Sequence, residues 1–338
     1  MSTQSSPEEE DPREQIKQFG IYIPVLSENP LATGTSHILR KTVPSHIPLP
    51  PYVRPKYTAD RPPPYHGNGL IRLGTEDERR VRRAGALAAM TLNQAETIVR
   101  PGITSEEIDD LLHEFIVSHG AYPSPLNYPS PEGSYPKSTC ISINNCLVHG
   151  IPDSRELEDG DILNIDITVY LDGFHGDTSR TFLVGNVDTQ GQQLAAFSTR
   201  ALQAGVSVCH PGAYFKSIGA AIQDAVCGAE KEFGYPYVIS GQFTGHGIGR
   251  VFHRPPWIVH TRNDEPGIME PGHCFTIEPV IVQGSDATGW MLPDGWTVLS
   301  ESYARGAQAE HTVLITETGV DVLTDGKTAN QTFERCKS

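Results

Sequence analysis

Two aspartates interrupt a run of β-branched and aliphatic residues in ILNIDITVYLDGFHGDTSRTF, residues 162–182. The run predicts two strands joined by a tight turn, and strands rarely carry carboxylates among such residues unless a cation holds them there. A turn at residues 171–172 would set Asp166 and Asp177 opposite each other, whereas a turn at residues 172–173 would set them on a diagonal of the same face. Carboxylates that close repel each other unless one is protonated or a metal ion lies between them. The plainer alternative is a solvated sheet face with unrelated acids.

Three further residues of ligand type follow. His246 lies between two glycines in TGHGIGRVFHRPP, and these glycines let the backbone come close to another group. Glu278 interrupts the apolar run CFTIEPVI, and Glu310 opens the run EHTVLIT. With Asp166 and Asp177 they form a set of four acids and one imidazole, which suits a pair of divalent manganese, cobalt, iron or zinc ions. Two such ions about 3.5–4 Å apart generate hydroxide at neutral pH and bind an oxyanion, so the set indicates hydrolytic chemistry.

The same region also contains the pattern of a different metal site. His175 and Asp177, with a distant histidine, match the H-x-D…H pattern of a mononuclear iron oxygenase. This alternative leaves Asp166, Glu278 and Glu310 unexplained. It also predicts a chain dominated by strands, whereas at least four helices are legible in the sequence. We therefore favour the pair of ions.

Helical and strand patterns supply the elements that position these residues. Two capping boxes, Thr75-x-x-Glu78 and Thr104-x-x-Glu107, predict the starts of two helices. The spacing of apolar residues predicts strands at about 138–148 and 161–183, a helix over 190–204 that ends at Gly205, and a helix over 214–233 that ends at Gly234. Short strand-like runs dominate the rest of the chain.

The order of these elements repeats within the chain. The segments RPGITSEEIDDLL (100–112) and HPGAYFKSIGAAI (210–222) share Pro-Gly and an isoleucine six residues after the glycine. Helix, Pro-Gly, helix and strands thus occur twice, about 110 residues apart. This repetition predicts an α+β domain built of two related halves.

Composition argues against several other classes of protein. The chain has 338 residues and a net charge of −15, which argues against the basic face that nucleic-acid binding requires. No apolar run approaches the ~20 residues of a membrane-spanning helix. The six cysteines form no C-x-x-C pair, which argues against a cysteine zinc site and a disulfide framework. The acidic start, MSTQSSPEEEDPREQ, fits neither a secretory signal nor a typical mitochondrial presequence, so we predict a cytoplasmic protein, with the mitochondrion as the alternative.

The motifs that carry these residues resemble those of the type I methionine aminopeptidases. YPKSTCISINN, VHGIPD, DGDILNIDITVYLDGFHGDTSRTF, GHGIG, FTIEPV, DGWTV and EHTVLIT occur in the order of that family, over about residues 71–323. The resemblance implies the α+β pita-bread (creatinase/aminopeptidase-like) fold, in which two pseudo-symmetric halves surround a curved antiparallel sheet. It also implies removal of the initiator methionine from nascent proteins and peptides with a small second residue, by hydroxide activated at two metal ions.

The resemblance implies a role for each member of the ligand set. Asp177 and Glu310 would bridge the two ions. Asp166 would complete the coordination of one ion, and His246 and Glu278 that of the other. Glu278 would also carry protons during the reaction.

The family's substrate site matches further residues. His149 in VHGIP and His253 in FH would be the two histidines beside the scissile bond, where donors stabilise the charge of the transition state. The methionine pocket matches Tyr128, Tyr135, Cys140, Phe252 and Trp296. Such a lining suits an unbranched thioether, although plain core packing would be the better interpretation of the aromatic residues without the resemblance.

The resemblance also implies a site for a monovalent cation, and this sequence departs from the family's pattern in three places. The family binds such a cation near SINN, which implies Asn144 as a ligand through its backbone. Val148 stands where many relatives have cysteine. Gly306 and Ala309 stand before Glu310 where relatives have serine and an aromatic residue, which bears on the cation site and on local packing. The segment NYPSPEGSYPK is longer than usual between the two pocket tyrosines, so we expect a different pocket rim.

Proline content divides the chain. Nearly half of the 27 prolines lie within residues 1–66, which predicts an extended arm over residues 1–70, without the zinc fingers of some relatives. The catalytic domain would cover residues 71–330, with a tail over 331–338. We predict a monomer whose partners are nascent polypeptide N-termini, and ribosome association is left open. Two alternatives share the fold: a proline-directed peptidase, whose relatives carry a folded N-terminal domain, and an interaction module without catalysis.

Overall fold

A curved antiparallel sheet of nine strands lies at the centre of the part of the chain that the computed structural model describes, residues 16–27, 31–53 and 67–336. Two sheets of three strands each accompany it in these ranges. No helix of the described residues combines the length and the apolarity that a bilayer crossing needs.

The elements have the following bounds. The helices are α1 (Glu76–Glu96), α2 (Ser105–Ser118), α3 (Thr189–Ser207), α4 (Lys216–Phe233) and α5 (Ala329–Arg335), after a 3-10 turn at Ile16–Phe19. The strands are β1 (Tyr122–Pro123), β2 (Cys140–Ile143), β3 (Cys146–Val148), β4 (Ile162–Leu171), β5 (Phe174–Leu183), β6 (Tyr237–Ile239), β7 (Thr244–Gly247), β8 (Arg254–Val259), β9 (Cys274–Ile277), β10 (Val280–Gln283), β11 (Gly289–Met291), β12 (Val298–Ser300), β13 (Gly306–Gln308), β14 (Glu310–Ile315) and β15 (Val320–Val322). The large sheet has the order β1-β4-β5-β14-β9-β7-β8, with β2 also on β4 and β15 on β14; the small sheets are β13-β10-β6 and β11-β12-β3.

The hairpin of β4 and β5 has the diagonal register. Leu171 pairs with Phe174, so the turn is at residues 172–173, and both turn residues have positive φ, 52° and 88°. An Asp-Gly pair suits this type of turn. Asp166 is therefore level with Ser179, two positions from the residue pair that contains Asp177. The second of the two predicted registers is confirmed.

Strand β4 separates a hydrophobic core from the polar face that carries the ligand-type residues. Its odd-numbered residues from Leu163 to Leu171 are buried in one core cluster together with Leu87 of α1 and Ile108 of α2. A second cluster joins α3 and α4 to the strands of the other half, with Phe275 at its centre. Because side chains alternate along a strand, the even-numbered residues of β4 point to the opposite face. The two α+β halves predicted from the repeat thus have separate cores.

One of the two predicted capping boxes forms. The Thr104 side chain accepts a hydrogen bond from the Glu107 backbone, and the Glu107 carboxylate accepts one from the Thr104 backbone. The other prediction was wrong: Thr75 precedes α1 but makes no side-chain cap, because its hydroxyl donates to the Arg72 carbonyl oxygen at 2.5 Å. The Glu78 carboxylate instead accepts the Gly74 N–H at 2.6 Å.

Packing also decides where the third helix ends. We predicted that it ends at Gly205, but α3 continues to Ser207 and Gly205 is buried within it. A Cβ atom at Gly205 would lie 3.0 Å from Ile222 of α4, so this glycine serves close helix packing rather than termination. The prediction for α4 is confirmed, because Gly234 ends it in the left-handed conformation, with φ 81°.

The described part of the proline-rich arm lies on the body of the protein without forming a strand or an α-helix. The Asn144 side chain donates to the Ile23 carbonyl oxygen at 2.9 Å, and the fully buried Arg305 donates to that of Phe19 at 2.7 Å. Further along the arm, Lys41 pairs with the buried Asp109 at 2.6 Å. Side chains of the body thus donate hydrogen bonds to backbone carbonyl groups of the arm, which in a helix or a sheet would pair with other backbone groups.

The two capping threonines generate a stability prediction. Thr104→Ala removes a side-chain cap and should lower the free energy of unfolding by about 1 kcal/mol. Thr75→Ala is the matched control, and its loss should be less than half as large because that hydroxyl caps no helix N–H. Urea denaturation of both variants measures the difference. Equal losses would contradict the cap assignment.

Candidate metal and substrate site

All residues that the sequence analysis assigned to the divalent ions or to the substrate line one cavity of about 340 Å³. They are Tyr128, Tyr135, Cys140, His149, Asp166, Asp177, His246, Phe252, His253, Glu278, Trp296 and Glu310. Val148, where many relatives have cysteine, lines the same cavity. Residues as far apart in the chain as Tyr128 and Glu310 therefore line the same cavity.

Sheet order explains how the acidic residues meet. Asp166 on β4 and Glu310 on β14 are both level with Ser179 of the intervening β5, so they lie in one row across three strands. Asp177 is two residues from Ser179 on β5, and Glu278 directly follows β9, the next strand beyond β14. Neighbouring strands therefore deliver all four carboxylates to one face of the sheet.

The glycine before His246 has a structural role at the site. A Cβ atom at Gly245 would lie 2.3 Å from the Thr276 carbonyl oxygen of β9. The backbone of β7 therefore approaches β9 closely only because this residue has no side chain. The glycines that flank His246 bring strands together, which places the imidazole beside the carboxylates.

The imidazole of His246 is close to two of the acids. Its Nε2 atom is 3.6 Å from Asp177 Oδ2 and 3.6 Å from Glu278 Oε1. One ligand atom each of Asp177, His246 and Glu310 lies within 4.8 Å of the others. Asp166 lies on the neighbouring strand, two positions from the residue pair that contains Asp177, and lines the same cavity. This spacing suits a cation that contacts several of these atoms at once.

Burial and mutual repulsion govern the charge of these acids. Burial raises the pKa of the Asp166 carboxyl and that of Glu278. The pKa of Asp177 and that of Glu310 are also raised, first by burial and then by the neighbouring carboxylates. Without a cation, each carboxylate therefore favours the protonated form.

The residues present fit divalent metal ions. Asp166 Oδ1 is buried and has no hydrogen-bond partner, so a cation would satisfy an acceptor that is otherwise unpaired. Burial lowers the pKa of His246 to about 4, which keeps the imidazole neutral. Its Nδ1 atom is 3.3 Å from the Gly247 carbonyl oxygen; a proton on Nδ1 leaves the Nε2 lone pair facing Asp177 and Glu278.

Threonines that the sequence analysis missed support the acids. Thr168 donates to Asp177 Oδ1 at 2.6 Å, and Thr276 donates to Glu278 Oε1 at 2.7 Å. Thr312 donates to the Asp177 carbonyl oxygen at 2.7 Å. A signal for them exists in the sequence, because D-I-T, T-I-E and E-H-T each place a threonine two residues from an acid. Alternation along a strand puts such a pair on one face.

His260 is another missed residue. Its side chain is 1% exposed, and its Nε2 atom accepts a hydrogen bond from the Glu278 backbone N–H at 3.1 Å. This contact holds the backbone at the point where Glu278 enters the cavity. The sequence offered no signal for it, since a histidine in the run PPWIVHT is equally typical of a packed strand residue.

Aromatic rings and a thiol also line the cavity, and the thiol belongs to Cys140, the cross-strand partner of Asp166. Tyr135 and Trp296 meet edge to face with ring centroids 5.2 Å apart, and the Trp296 indole donates to the Gly133 carbonyl oxygen at 3.0 Å. Tyr128 and Phe252 meet in the same manner at 5.1 Å. Gly133 belongs to the longer loop between the two tyrosines, so that loop is bound to the pocket wall.

The two histidines outside the ligand set are held differently. His149 has a positive φ of 56°, and burial lowers its pKa to about 4. His253 has its Nδ1 atom 2.8 Å from the Tyr128 hydroxyl. Burial lowers the pKa of His253, with His246 and other buried histidines adding to the effect. Both imidazoles are therefore neutral near pH 7.

His175 and Asn144 do not enter the metal cluster. The His175 Nδ1 atom is 2.8 Å from the Ser124 hydroxyl, and its ring is stacked on Phe252, which does not favour the mononuclear iron alternative. The Asn144 carbonyl oxygen accepts the Gly306 N–H at 3.0 Å. This is the carbonyl of the residue that the resemblance assigns to a monovalent cation.

Comparisons with known proteins agree with this geometry. The model of metallopeptidase family M24 matches residues 79–317. Methionine aminopeptidase 1B, chloroplastic, of Arabidopsis thaliana is 49% identical over 286 residues, which is 84% of this chain and 73% of that protein. Methionine aminopeptidase 1D, mitochondrial, of Homo sapiens is 44% identical over 296 residues, which is 87% of this chain and 82% of that protein.

Solved structures show the same fold. The crystal structure of methionine aminopeptidase from Rickettsia prowazekii matches with a TM-score of 0.69 at 42% identity, covering 76% of this chain and 100% of that one. The Xaa-Pro dipeptidase from Bacillus anthracis matches with a TM-score of 0.58 at 21% identity, covering 76% of this chain and 62% of that one. The second likeness concerns the fold alone. The predicted pita-bread fold is confirmed.

The raised pKa of Asp166 generates a prediction for the metal-free protein. The Asp166 carboxyl has a higher pKa in the folded chain than in the unfolded chain, so the folded chain binds more protons. The free energy of unfolding therefore falls as pH rises from ~4, until the carboxyl of the folded chain has ionised. Asp166→Asn removes the titrating carboxyl and with it this loss of stability. After chelation, the variant should melt several degrees above the unmodified protein at pH 8, with a smaller difference near pH 5.

Thermal melting with and without added Mn²⁺ measures the effect. Mn²⁺ should stabilise the unmodified protein more than the Asp166→Asn variant, because the variant has lost a ligand atom. Asp264→Asn is the control, since the Asp264 side chain is fully exposed and its substitution should change neither curve. A destabilised Asp166→Asn protein at pH 8 would contradict the argument that burial disfavours the ionised Asp166 carboxylate.

Proposed function

This chain belongs to metallopeptidase family M24, and from that premise we propose that it removes N-terminal methionine from nascent proteins and peptides with a small second residue. One observation carries the proposal: the carboxylates, the imidazole of His246, the aromatic rings and the Cys140 thiol line a single cavity. The cluster suits hydrolysis and the wall suits an unbranched thioether. A free α-amino group would then lie beside the acids, which is the geometry of an aminopeptidase.

We assign the metal ligands as the resemblance implies. Asp177 and Glu310 would bridge two divalent ions, with Asp166 on one of them and His246 and Glu278 on the other. Two such ions, when bound, supply a nucleophile by lowering the pKa of water and neutralise the charge that develops on the substrate oxygen. The unpaired Asp166 Oδ1 and the neutral His246 support this assignment. Manganese, cobalt, iron and zinc all suit the donor set.

Two neutral histidines would act on the substrate directly. His253 is held at Nδ1 by the Tyr128 hydroxyl, which favours a proton on Nε2 when the hydroxyl donates. Such an N–H can donate to the carbonyl oxygen or the amide nitrogen of the scissile bond. His149 contributes a second polar group to the cavity. Donors placed where charge develops lower the barrier of peptide hydrolysis.

Glu278 would move the proton. Burial raises the pKa of its carboxyl, whereas bound cations would favour its ionised form, so the group could accept a proton from water and later release it. The Thr276 hydroxyl donates to Oε1, and the backbone N–H of Glu278 donates to His260. These contacts fix the carboxyl group so that it can take a proton from water and give it to the leaving amine.

The methionine side chain would enter between the aromatic rings. Tyr135 and Trp296 present an edge-to-face pair, and the buried Cys140 thiol adds a polarizable sulfur. Burial raises the pKa of that thiol, so it remains uncharged and compatible with an apolar guest. A thioether gains favourable contacts with such a lining, whereas a charged side chain would lose its hydration there.

The remaining assignments concern organisation and partners. We propose an arm over residues 1–70, a catalytic domain over 71–330 and a tail over 331–338, acting as a monomer on nascent chains with or without ribosome contact. The Asn144 carbonyl oxygen is the proposed ligand of a monovalent cation. We propose the cytoplasm, with an organelle as the alternative because relatives are named mitochondrial or chloroplastic; a fluorescent fusion distinguishes the two.

A substitution of one bridging aspartate tests the reaction. Asp177→Asn should reduce methionine release from Met-Ala-Ser to background, because the amide oxygen carries no charge with which to hold the ions. Released methionine is measured by mass spectrometry, with each candidate metal added after chelation. Asp264→Asn serves as the control and should keep the unmodified rate. Turnover by Asp177→Asn at that rate would defeat the metal assignment.

A peptide panel separates the alternatives that share the fold. Cleavage of Met-Ala-Ser without cleavage of Xaa-Pro peptides supports the proposal, and the reverse result supports a proline-directed peptidase. A protein that binds none of the four metals and cleaves no peptide would support the interaction module.

A further inference from the structure

We propose that Tyr52, in the proline-rich arm, is a positioning residue for the imidazole of His253, so that the arm forms part of the catalytic apparatus. The inference rests on the proposed function, because it assigns Tyr52 a role in the same reaction. It is carried by two separate sets of contacts that lead from Tyr52 to His253.

Tyr52 is anchored to the body at a single backbone group. Its hydroxyl donates to the Ser124 carbonyl oxygen at 2.6 Å. Its ring meets Tyr128 edge to face, with centroids 5.0 Å apart and an interplanar angle of 74°. The same ring is stacked against His175, with centroids 6.2 Å apart and an angle of 19°. An arm residue therefore contacts both the pocket tyrosine and a buried histidine behind it.

The first set of contacts leads through Tyr128. Its hydroxyl is the group within hydrogen-bonding distance of His253 Nδ1, at 2.8 Å. The Tyr128 ring lies between two other rings, with Tyr52 at 5.0 Å and Phe252 at 5.1 Å, both edge to face at 74°. The Tyr128 ring also meets that of His253 at 4.9 Å, so removing the Tyr52 ring would take away one of three ring contacts and let the Tyr128 hydroxyl shift.

The second set leads through stacked rings. His175 is stacked on Phe252 at 5.2 Å and 15°, and Phe252 is stacked on His253 at 3.9 Å and 18°. The Ser124 hydroxyl is 2.8 Å from His175 Nδ1, while the Ser124 carbonyl oxygen accepts the Tyr52 hydroxyl. One serine thus ties the arm residue to the base of the stack. The tilt of the His253 ring depends on this stack as well as on its hydrogen bond.

The neighbouring arm residues hold Tyr52 in place. Ile47 is buried in a small cluster with Tyr122 and Tyr170 of the body, and Val53 packs against the same cluster. Lys41 pairs with Asp109, whose other carboxylate oxygen accepts the Thr139 N–H next to Cys140 in the pocket wall. The arm is therefore attached on both sides of Tyr52. Its contact with Tyr128 is part of a buried interface rather than a loose surface encounter.

Small shifts of His253 are expected to be costly. A group that donates to the developing charge acts only when it is correctly oriented, and a displacement of about 1 Å lowers rates by up to ~100-fold. Tyr52 does not line the cavity, so it does not contact the substrate. Its loss should therefore lower kcat and leave KM almost unchanged, which distinguishes positioning from binding.

Three substitutions in the full-length protein test the proposal with Met-Ala-Ser as substrate. Tyr52→Leu removes the ring but fills the buried space, and should lower kcat about tenfold with KM changed by less than about twofold. Tyr52→Phe keeps every ring contact and should retain most of the rate. Tyr22→Leu is the matched control, because Tyr22 is an arm tyrosine whose hydroxyl donates to the Tyr303 carbonyl oxygen and whose ring contacts Arg305. Tyr22→Leu should lower the free energy of unfolding without lowering kcat.

A double substitution tests the first route. Tyr128→Phe removes the hydroxyl that contacts His253, so adding Tyr52→Leu should lower kcat less in that background than in the unmodified protein. Equal loss of kcat in Tyr52→Leu and Tyr22→Leu would overturn the proposal, since any weakening of the arm would then have the same effect. An unchanged kcat in Tyr52→Leu would overturn it as well.

A readout without turnover separates this inference from the proposed function. If the unmodified chain releases no methionine, the proposed function fails. The position of His253 can still be followed by the NMR resonances of its imidazole, which are assigned with a His253→Asn variant. Tyr52→Leu should shift these resonances and Tyr22→Leu should leave them in place. Resonances unaffected by Tyr52→Leu would overturn the positioning role whatever the activity.

Discussion

The crowding of four carboxyl groups, each wholly or partly removed from water, is the constraint on which the rest of the structure depends. Burial raises the pKa of each group, and the neighbouring acids raise those of Asp177 and Glu310 further. The fold tolerates this because hydroxyls of Thr168 and Thr276 donate to two of the acids. These hydrogen bonds support Asp177 and Glu278 but leave the buried Asp166 Oδ1 without a partner. The site is therefore built for a cation, and the protein without one retains an unfavourable interaction that metal binding relieves.

The parts of the fold that follow from local rules could be predicted from the sequence. The Asp-Gly pair determines the turn, and strict alternation along β4 separates apolar from polar residues, so the diagonal of Asp166 and Asp177 was among the predicted registers. Thr75 and Gly205 show where local rules fail. The Thr75 hydroxyl donates to a nearby backbone carbonyl oxygen and is therefore not available to cap the helix. Gly205 lies against a facing helix, so it serves packing instead of ending its own helix.

The candidate site shows a similar division. Residue type and strand context were enough to select the acids, but nothing local places β14 between β5 and β9, and that order is what brings Glu310 level with Asp166. The family resemblance predicted that these residues meet in space, which periodicity along the chain could not predict. The supporting threonines were recognisable in principle, since each lies two residues from an acid. His260 was not, because its contact is with a backbone N–H and depends only on tertiary packing.

The arm shows that a segment without regular structure can still determine the geometry of a site. Its prolines prevent a ladder of backbone hydrogen bonds, so its backbone groups are satisfied by side chains of the body, among them Asn144 and the buried Arg305. Such docking fixes the arm residue by residue. The half-buried ring of Tyr52 is then held in one place, and it packs against Tyr128 alongside the rings of Phe252 and His253. A segment that composition alone would class as a linker thereby completes the packing around His253.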